Sequence, residues 1–460
     1  MAEFTARELR LATGGELLYG AETTPVFGIC TDSRRIQRGE VFIALTGEAF
    51  DGHKFVSDCL AKGAVGVIVS QAVDIAERGA AFVLIVPDTL RALQNIANFH
   101  RQRFTIPIIG VTGSNGKTTT KDMIASVLAQ RFITLKTQAN FNNEIGLPLT
   151  LLGLKADHQA AVVEMGMRGP GEIRELAGIA MPTVGVVTNV SETHIELLGS
   201  LGNICSAKAE LVEALGVEGV AVLNGDDQLV RSMAACCRGK VLLYGTTMDA
   251  DVRAVNIQVC GEDETSARVL VPDQEFTVII PLPGRHNVLN ALAAVAVGLH
   301  LGLSEQEIQA GLAQFTPSAM RMDIRLTRQG YKLINDVYNA SPLSMRAAID
   351  TLCEIARGRT IAVLGDMLEL GTISEEAHLE LGRYAARAGI DMVLTYGTQA
   401  RVIADGARQG PRVPEYMESF QDIDVLIAKL IEMTKPGDTI LVKGSRGMRM
   451  ERVSTALNAD

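Results

Sequence analysis

A glycine-rich loop constrains the fold of this chain more than any other feature. The segment Thr112-Gly-Ser-Asn-Gly-Lys-Thr-Thr119 follows the β-branched run Ile106–Val111 and opens a segment with helical spacing of apolar residues. Such a strand–loop–helix unit aims backbone N–H groups and a helix dipole at one point, where they bind phosphate. The lysine can neutralise nucleotide phosphates, and the next threonine hydroxyl can ligate Mg²⁺. The usual P-loop spacing is altered, because position 111 is valine and Gly110 stands one residue too far upstream.

The length and the order of apolar segments predict three α/β domains in series. A chain of 460 residues is too long for one ordinary core and suggests about three domains. The first domain is expected over residues 1–87, with strands at Val41–Leu45, Val65–Val69 and Ala81–Val86 and a helix at Phe55–Lys62.

The central domain is predicted over residues 88–316. A helix over Asp88–Arg103 leads into the strand before the loop, and strands then alternate with helices, as in a parallel sheet covered on both faces. Later apolar runs predict an antiparallel insert, and Ser304-x-x-Glu307 is a capping box that opens the last helix. The predicted strands are Ile106–Val111, Ala160–Glu164, Thr183–Thr188 and Val220–Leu223, the helices Lys117–Gln130, Gly171–Ile179 and Ser206–Leu215, and the insert Val252–Val259, Ala267–Val271 and Phe276–Ile280.

The pattern restarts after Thr316-Pro317, which predicts a C-terminal domain over residues 317–460. Its alternation indicates a second, smaller, doubly wound sheet of the Rossmann-like kind. The fold class is therefore α/β, with a central P-loop parallel sheet that carries an antiparallel insert. The C-terminal strands are expected at Lys332–Asp336, Thr360–Leu364, Met392–Tyr396 and Thr439–Lys443, and the helices at Ser344–Ile355, Ser374–Ala388 and Asp422–Met433.

Charge and composition argue against several classes of protein. The net charge is −10, without a dense basic cluster, so nucleic acid is not expected as a partner. Polar residues and glycines interrupt the apolar stretch Val288–Leu303, so a buried helix is expected there instead of a membrane span. The first ten residues lack the apolar core of a signal peptide. The seven cysteines have no metal-ligand spacing, and we expect reduced thiols in a cytoplasmic protein.

Several further motifs resemble those of the Mur ligases, which extend the peptide of the bacterial cell-wall precursor. The resemblance covers nearly the whole chain and is nearest to the branch that adds D-alanyl-D-alanine. One motif departs from the usual spelling, which begins with two aspartates: Asn335 stands first here, leaving Asp336 as the functional carboxylate. The motifs are TDSR at 31–34, FDGH at 50–53, TQANFNNEIG at 137–146, GRHNVLNALAA at 284–294, MRMD at 320–323, NDVYNASPLSM at 335–345, LGDMLELG at 364–371 and VKGSR at 442–446.

The resemblance implies a site for ATP and two Mg²⁺ ions. Glu164 and His194 each lie just past the carboxyl end of a predicted strand, where α/β proteins bind ligands. The family uses these two positions, with the loop threonine Thr118, for Mg²⁺, and a carbamylated Lys208 for a second ion. It implies catalytic roles for Lys117, Glu164, His194, Arg321 and Asp336. The implied ATP-binding residues are Gly113, Ser114, Asn115, Gly116, Lys117, Thr118, Thr119, His286, Asn287, Asn290, Arg321, Asp336 and Tyr338.

The resemblance also implies two further substrates. It predicts that UDP-N-acetylmuramoyl-tripeptide and D-alanyl-D-alanine are joined through an acyl phosphate, by a monomeric enzyme. The implied UDP-sugar contacts are Thr31, Asp32, Ser33, Arg34, Asp51, Gly52, His53, Asn140, Asn142 and Asn143. The implied dipeptide contacts are Asn339, Ser341, Lys443, Ser445 and Arg446.

Three alternatives are weaker. Folylpolyglutamate synthetase shares the loop and the chemistry, but the TDSR and YNASP segments disfavour it. A P-loop regulatory ATPase should hydrolyse ATP without an acceptor and show an apolar run that ends in a Walker-B-like aspartate, and we do not find such a run in the sequence. A nicotinamide-dependent dehydrogenase needs G-x-G-x-x-G after a strand, and Leu364-Gly365-Asp-Met does not match that spacing.

Overall fold

The computed structural model of the chain describes residues 3–47, 50–73, 79, 81–318 and 320–458. In the N-terminal region the main sheet has the strand order β2-β9-β8-β5-β4, and β1/β3 and β6/β7 form short antiparallel pairs. The strands are β1 (Phe4–Thr5), β2 (Glu16–Tyr19), β3 (Pro25–Val26), β4 (Ile29–Cys30), β5 (Val41–Ile43), β6 (Thr46–Gly47), β7 (Phe50–Asp51), β8 (Gly66–Val69) and β9 (Phe82–Ile85). The helices are α1 (Ala6–Thr13), α2 (Val56–Ala61) and α3 (Thr89–Arg101).

Helix α3 joins the N-terminal region to the central one. Asp88, where we predicted the domain boundary, is its N-cap, and its carboxylate accepts a 2.8 Å hydrogen bond from Leu90 N. The buried face of α3, which includes Leu93 and Ile96, belongs to one apolar core shared by both regions. At the other end, Arg101 Nε donates to Ala180 O over 2.8 Å. The helix therefore fixes the first sheet against the second.

The central region is built on a sheet with the order β11-β12-β10-β13-β14-β15-β16-β17-β18. The strands from β10 to β16 pair in parallel, and β16, β17 and β18 form an antiparallel edge, which confirms the predicted insert. The strands are β10 (Ile108–Thr112), β11 (Thr134–Lys136), β12 (Ala160–Glu164), β13 (Val184–Val187), β14 (Val220–Asn224), β15 (Lys240–Gly245), β16 (Val252–Cys260), β17 (Glu264–Val271) and β18 (Gln274–Ile280).

Helices cover both faces of this sheet. One face packs on α3, α5, α6 and α8, and the other on α4, α10 and α11. The helices are α4 (Lys117–Leu128), α5 (Gly146–Leu151), α6 (Glu172–Ala180), α7 (Ile195–Leu198), α8 (Leu201–Glu213), α9 (Gln228–Ser232), α10 (His286–His300) and α11 (Glu305–Ala313).

Two central helices bear on the sequence predictions. The helix predicted to begin at Ser206 begins five residues earlier, at Leu201, because the hydroxyl of Ser200 accepts a hydrogen bond from Asn203 N and caps it. Helix α10 is buried along most of its length, as predicted for residues 288–303. Every helix in the part of the chain that the structure describes is too short or too polar to span a membrane.

The C-terminal sheet has the order β19-β20-β24-β21-β22-β23, parallel except for β19. Helices α12, α13 and α14 cover one face and α15 and α16 the other, which confirms the doubly wound prediction. Strand β23 was missed because polar residues interrupt this half-exposed edge strand. The elements are β19 (Asp323–Leu326), β20 (Lys332–Asn335), β21 (Thr360–Gly365), β22 (Met392–Tyr396), β23 (Tyr416–Phe420), β24 (Thr439–Lys443), α12 (Pro342–Ile355), α13 (Ser374–Ala388), α14 (Arg401–Arg408), α15 (Ile423–Met433) and α16 (Glu451–Asn458).

Candidate active site

The glycine-rich loop joins β10 to α4 and is shaped for an anion. Gly116 is the N-cap of α4 with φ of +78°, and no side chain of the described residues caps this helix. The N–H groups of its first turn therefore remain free to bind a ligand. A Cβ on Gly116 would lie 2.6 Å from Asn290 Oδ1, and one on Gly113 only 1.9 Å from Thr188 Oγ1. Both glycines are thus required by the packing of the loop.

A segment after β13 clamps the loop, and sequence reasoning missed its role. Asn115 N donates to Asn189 Oδ1 over 2.9 Å, and Asn189 Nδ2 donates back to Asn115 O over 3.0 Å. The hydroxyl of Thr188 also donates to Asn115 O, over 2.6 Å. Ser114 and Ser191 exchange a second pair of hydrogen bonds. A run of small polar residues directly after a buried strand was the signal that could have indicated this clamp.

Thr118 and Glu164 meet at the carboxyl edge of the sheet, as the sequence predicted. The hydroxyl of Thr118 donates to Glu164 Oε2 over 2.8 Å, and Asn142 Nδ2 donates to Oε1 over 2.8 Å. Glu164 is 2% exposed, and its hydrogen-bond partners are neutral. A buried carboxylate beside a hydroxyl is an oxygen donor set that suits Mg²⁺. The described residues contain no cluster of three His, Cys, Asp or Glu side chains able to hold a metal, so an ion here would need substrate oxygens or water.

Two lysines lie near the loop, Lys208 buried and Lys117 half-buried, and desolvation lowers the pKa of each. Lys117 Nζ donates to Gly113 O over 2.7 Å and to Ser114 O over 3.1 Å, and burial, with a smaller effect from Arg321, lowers its pKa. Lys208 lines the same cavity and is 2% exposed. Burial, followed by the charge of Lys117, holds the pKa of Lys208 well below its usual value.

The start of helix α10 faces the loop. Asn290 Oδ1 accepts a 3.1 Å hydrogen bond from the hydroxyl of Thr120, and Asn290 Nδ2 donates to Asn287 Oδ1 over 3.2 Å. Asn287 Nδ2 donates to Pro283 O over 2.8 Å. His286 lines the cavity too, and its burial lowers its pKa. The predicted ATP-binding residues His286, Asn287 and Asn290 therefore form one wall, whose asparagines already form hydrogen bonds within the protein.

The C-terminal domain supplies an arginine and a carboxylate to the same cavity. The guanidinium of Arg321 lies 3.9 Å from the centre of the Tyr338 ring. Asp336 Oδ2 is ion-paired with Lys443, and Asp336 Oδ1 accepts a hydrogen bond from Met322 N over 3.2 Å. The resemblance grouped Lys443 with Arg446 as a dipeptide contact. The side chain of Lys443, however, is only 3% exposed and is already paired with Asp336. Lys443 lines the cavity of the phosphate loop.

Contacts at Ser341 and at Glu369 join the central and C-terminal domains across the site. Ser341 Oγ donates to Asn115 Oδ1 over 2.9 Å. His194 Nδ1 lies 2.5 Å from Glu369 Oε2, and burial lowers the pKa of His194 although Glu369 opposes that shift. His194 and Glu369 both have positive φ angles, +59° and +63°. The site is therefore assembled from both domains.

Two cavities meet at this junction. One, of about 910 Å³, is lined by the phosphate loop, the start of α10 and residues of the C-terminal domain. The other, of about 600 Å³, lies between the loops of the two domains. The residues that line both are Thr118, Asn140, Arg168, Thr193, His194, Arg321, Tyr338, Asn339, Ala340 and Ser341.

The remaining predicted dipeptide residues have different surroundings. Ser445 is 3% exposed, and its hydroxyl accepts a 2.9 Å hydrogen bond from Leu368 N. Arg446 has a side chain that is 55% exposed and lines the smaller cavity. Asn339 lines both cavities, and its carbonyl accepts a 2.9 Å hydrogen bond from Lys443 Nζ.

The predicted UDP-sugar residues form two small clusters in the N-terminal region, while the predicted asparagines line the central cavity. His53 Nδ1 lies 2.7 Å from Asp51 Oδ1 and its Nε2 accepts from Ser70 N over 3.0 Å, which places the proton on Nδ1. Gly52 packs against the backbone of Leu45, where a Cβ would lie 2.7 Å from the carbonyl oxygen. Asn140, Asn142 and Asn143 line the larger cavity.

The second cluster is more open. Arg34 donates to Asp32 through Nε over 2.9 Å and through Nη2 over 2.8 Å, and this lowers the pKa of Asp32 to about 2. The side chain of Arg34 is 86% exposed. Thr31 and Ser33 are half-buried beside them, and Ser33 O accepts a 2.8 Å hydrogen bond from Lys62 Nζ.

The fold and the site define a P-loop nucleotide-binding enzyme of three α/β parts, and comparison with known proteins gives the family. Residues 25–101 match the Mur ligase family catalytic domain, residues 111–298 the Mur ligase middle domain, and residues 320–446 the Mur ligase glutamate ligase domain. The chain belongs to the Mur ligase family. Within it, the curated relatives described next are all UDP-N-acetylmuramoyl-tripeptide–D-alanyl-D-alanine ligases.

The ligase of this name from Bacillus subtilis is 40% identical over 94% of this chain and 93% of its own. That from Escherichia coli is 37% identical over 99% of both chains. A crystal structure of MurF from Acinetobacter baumannii superposes with a TM-score of 0.91 at 32% identity, over 99% of both chains. A Thermotoga maritima MurF ligase structure in complex with ADP gives 0.83 at 29% identity, over 94% of this chain and 97% of its own. A Mycobacterium tuberculosis folylpolyglutamate synthase, at 17% identity and a TM-score of 0.63, over 81% of this chain and 95% of its own, shares the fold alone.

Proposed function

We propose that this chain joins D-alanyl-D-alanine to the tripeptide carboxylate of UDP-N-acetylmuramoyl-tripeptide at the expense of ATP, in peptidoglycan precursor synthesis. The observation that carries the proposal is the junction of the two cavities. One cavity offers a phosphate loop, and the other lies between the domains with charged groups of both signs on its walls. The names of the relatives support the same reaction.

The chemistry requires activation of the carboxylate. A carboxylate oxygen attacks the γ-phosphorus of ATP, the bond from that phosphorus to the β–γ bridging oxygen breaks, and ADP leaves. The ammonium group of the dipeptide loses one proton, and the neutral amine then attacks the acyl carbon of the acyl phosphate. The tetrahedral intermediate loses a second proton from nitrogen and expels inorganic phosphate as the C–O bond breaks. Such a sequence depends on positioning and charge neutralisation, without a covalent enzyme nucleophile.

The residues of the junction suit these steps. The free N–H groups at the start of α4 hold the phosphates, and Lys117 can turn from the loop carbonyls towards the charge that develops in transfer. Arg321, held against Tyr338, approaches from the C-terminal domain and lines both cavities. Asp336, fixed by Lys443, faces the nucleotide cavity.

Magnesium has a fitting place beside the loop. Thr118 and Glu164 would hold one ion, with His194 on the wall of the same cavity. When bound, Mg²⁺ neutralises and orients the phosphate oxygens. A carbamate on Lys208 would serve a second ion, and the lowered pKa of this buried amine supports its reaction with CO₂. We further propose a cytoplasmic monomer whose domain bounds are 1–87, 88–316 and 317–460.

The decisive experiment is an omission assay. Phosphate release is measured with ATP, UDP-N-acetylmuramoyl-tripeptide and D-alanyl-D-alanine, each left out in turn. The mass of the product is determined by mass spectrometry. We expect phosphate and the UDP-muramoyl-pentapeptide in equal amounts, only with all three present. Full turnover without the dipeptide would contradict the ligase function.

A further inference from the structure

The smaller cavity contains a carboxylate that the reaction described above does not use. Glu369 lines this cavity, and its side chain is 45% exposed. Its Oε2 faces His194, whereas no hydrogen bond or ion pair within the described residues involves its Oε1. An ionised carboxylate offers about four lone-pair sites. Glu369 can therefore accept hydrogen bonds from a ligand and keep its contact with His194.

The backbone around Glu369 is held rigidly in place. Its own φ is +63°, which is an unfavourable angle for a residue other than glycine. The three residues before it are each anchored: Asp366 O accepts from Ser445 N over 3.0 Å, Met367 N donates to His378 Nε2 over 3.0 Å, and Leu368 N donates to Ser445 Oγ over 2.9 Å. Beyond it, Glu369 O accepts from Glu196 N of the central domain over 3.2 Å. Strain maintained in this way is common where a side chain must be aimed at a ligand.

The same anchors place a cation on the neighbouring loop, Arg446, whose Nη1 lies 3.8 Å from Glu451 Oε1. The hydrogen bond from Leu368 N to Ser445 Oγ joins two loops. Glu369 is the residue after Leu368 in one loop, and Arg446 is the residue after Ser445 in the other. The loops also touch at Gly447, where a Cβ would lie 2.9 Å from Leu368 Cδ1. The described structure gives no ion pair between Glu369 and Arg446, although both line the smaller cavity. The two adjacent loops thus present charges of opposite sign to one space.

We propose that Glu369 binds the ammonium group of the incoming dipeptide while Arg446 binds its carboxylate. This inference rests on the proposed function and names the residue that selects an acceptor with a free amino terminus. A zwitterionic peptide is complementary to a cavity with a carboxylate and a guanidinium on neighbouring loops. Ser445 and Lys443 then act as positioning residues: Ser445 ties the loops together, and Lys443 holds Asp336.

The test compares the dipeptide with N-propanoyl-D-alanine, which keeps the carboxylate and both methyl groups but has hydrogen in place of the amino group. Dissociation constants are measured for both ligands on the full-length protein with a non-hydrolysable ATP analogue and the UDP substrate present. In the wild type the dipeptide should bind about 10- to 100-fold more tightly, the worth of a charge-assisted hydrogen bond. In E369Q the two ligands should bind equally, with binding of the propanoyl compound unchanged. R446Q should weaken both ligands alike, because both carry the carboxylate.

Several results would overturn the inference. An equal loss of affinity for both ligands in E369Q would show that Glu369 has only a structural role. As a control for folding, E369Q should have the unfolding temperature and the ATP affinity of the wild type. A selective loss in E192Q, which changes the other glutamate that lines this cavity, would assign the ammonium to Glu192. A changed Mg²⁺ requirement in E369Q, with dipeptide binding intact, would assign Glu369 to the metal. If wild-type protein forms no product from the dipeptide, the proposed function fails. If wild-type protein turns over and E369Q keeps its preference for the dipeptide, only this inference fails.

Discussion

Ser341 of the C-terminal domain donates a 2.9 Å hydrogen bond to Asn115 of the phosphate loop. The same hydroxyl is the N-cap of α12, where it accepts from Ser344 N and completes a capping box. Asn115 in turn donates through Nδ2 to Ser191 over 2.8 Å. One side chain thus couples the start of a C-terminal helix to the loop that would hold ATP, so the position of that domain and the shape of the loop are linked.

The first prediction concerns this link. S341A should lose about 1 kcal/mol of unfolding free energy with the cap, and kcat/KM for ATP should fall about 3- to 10-fold with the interdomain hydrogen bond. S304A is the matched control, because Ser304 forms a capping box with Glu307 at the start of α11. It should lose similar stability and keep the wild-type kcat/KM. Urea unfolding and steady-state kinetics measure the two effects, and equal kinetic losses in both variants would contradict the link.

The second prediction concerns the carboxylate at the end of β12. E164Q should lower kcat by about 100-fold or more and raise the Mg²⁺ concentration needed for half-maximal rate, because an amide is a much poorer ligand for a hard cation. T118S keeps the hydroxyl that bonds to Glu164 and should stay active. Rates are measured over a Mg²⁺ titration at saturating ATP. A normal Mg²⁺ requirement in E164Q would show that the carboxylate only orders the loop.

The third prediction separates backbone strain from a steric clash. Gly116 and Gly437 both have left-handed φ angles, +78° and +90°. A Cβ added to Gly116 would lie 2.6 Å from Asn290, whereas a Cβ added to Gly437 would have no atom within 4 Å. G437A should lose about 1 kcal/mol of unfolding free energy from backbone strain, and G116A should lose at least as much. G116A alone should also lose ATP binding, measured by calorimetry. Equal nucleotide affinities in the two variants would contradict this reading of the loop.

The fourth prediction concerns pH and His378. This residue is fully buried, and burial lowers its pKa. Met367 N donates to its Nε2, so the ring is neutral in the fold. The unfolded chain, with a histidine pKa near about 6.5, binds more protons, and stability should fall as the pH drops through that value until the lower folded pKa is passed. The slope is at most about 1.4 kcal/mol per pH unit.

The substitution H378Q should remove the contribution of His378 to the pH dependence of the unfolding free energy. Urea unfolding of the wild type and H378Q between about pH 7.5 and 5.5 measures the difference, because the other histidines contribute to both proteins alike. The stability gap between the two should narrow as the pH falls. A constant gap across this range would mean that His378 titrates normally in the fold.

Most buried strands were predictable, because parallel strands covered on both faces are continuous apolar runs. Ala160–Glu164 and Thr439–Lys443 were predicted with the bounds that the structure has. The edge strands β2 and β23 give no such signal, because three of the four residues of β2 are exposed and polar residues interrupt β23. The helix start at Ser200 was missed for a different reason. A single capping serine is a weaker signal than the apolar spacing that follows it.

Within the site, the meeting of Thr118 and Glu164 was predictable, whereas the clamp that Asn189 and Ser191 form on the phosphate loop was not. Thr118 and Glu164 meet because neighbouring parallel strands end at one edge, a relation that strand order alone imposes. The resemblance to the Mur ligases supplied the roles of more distant residues, such as Arg321. The resemblance grouped Lys443 with Arg446. Only the structure shows that Lys443 is buried and ion-paired with Asp336.

By itself, the sequence determined the phosphate loop, the order of strands and helices, and the family of the protein. The loop and the order of elements follow from local backbone geometry and from the period of apolar residues, which act over a few neighbours. The family follows from the resemblance of several motifs to those of the Mur ligases. Tertiary structure alone decided that Ser341 reaches Asn115 and that His194 meets Glu369. Each of these pairs joins loops of two domains, and no local propensity encodes how one folded domain packs on another. The packing of the domains therefore turns a nucleotide loop and two sets of polar residues into one site.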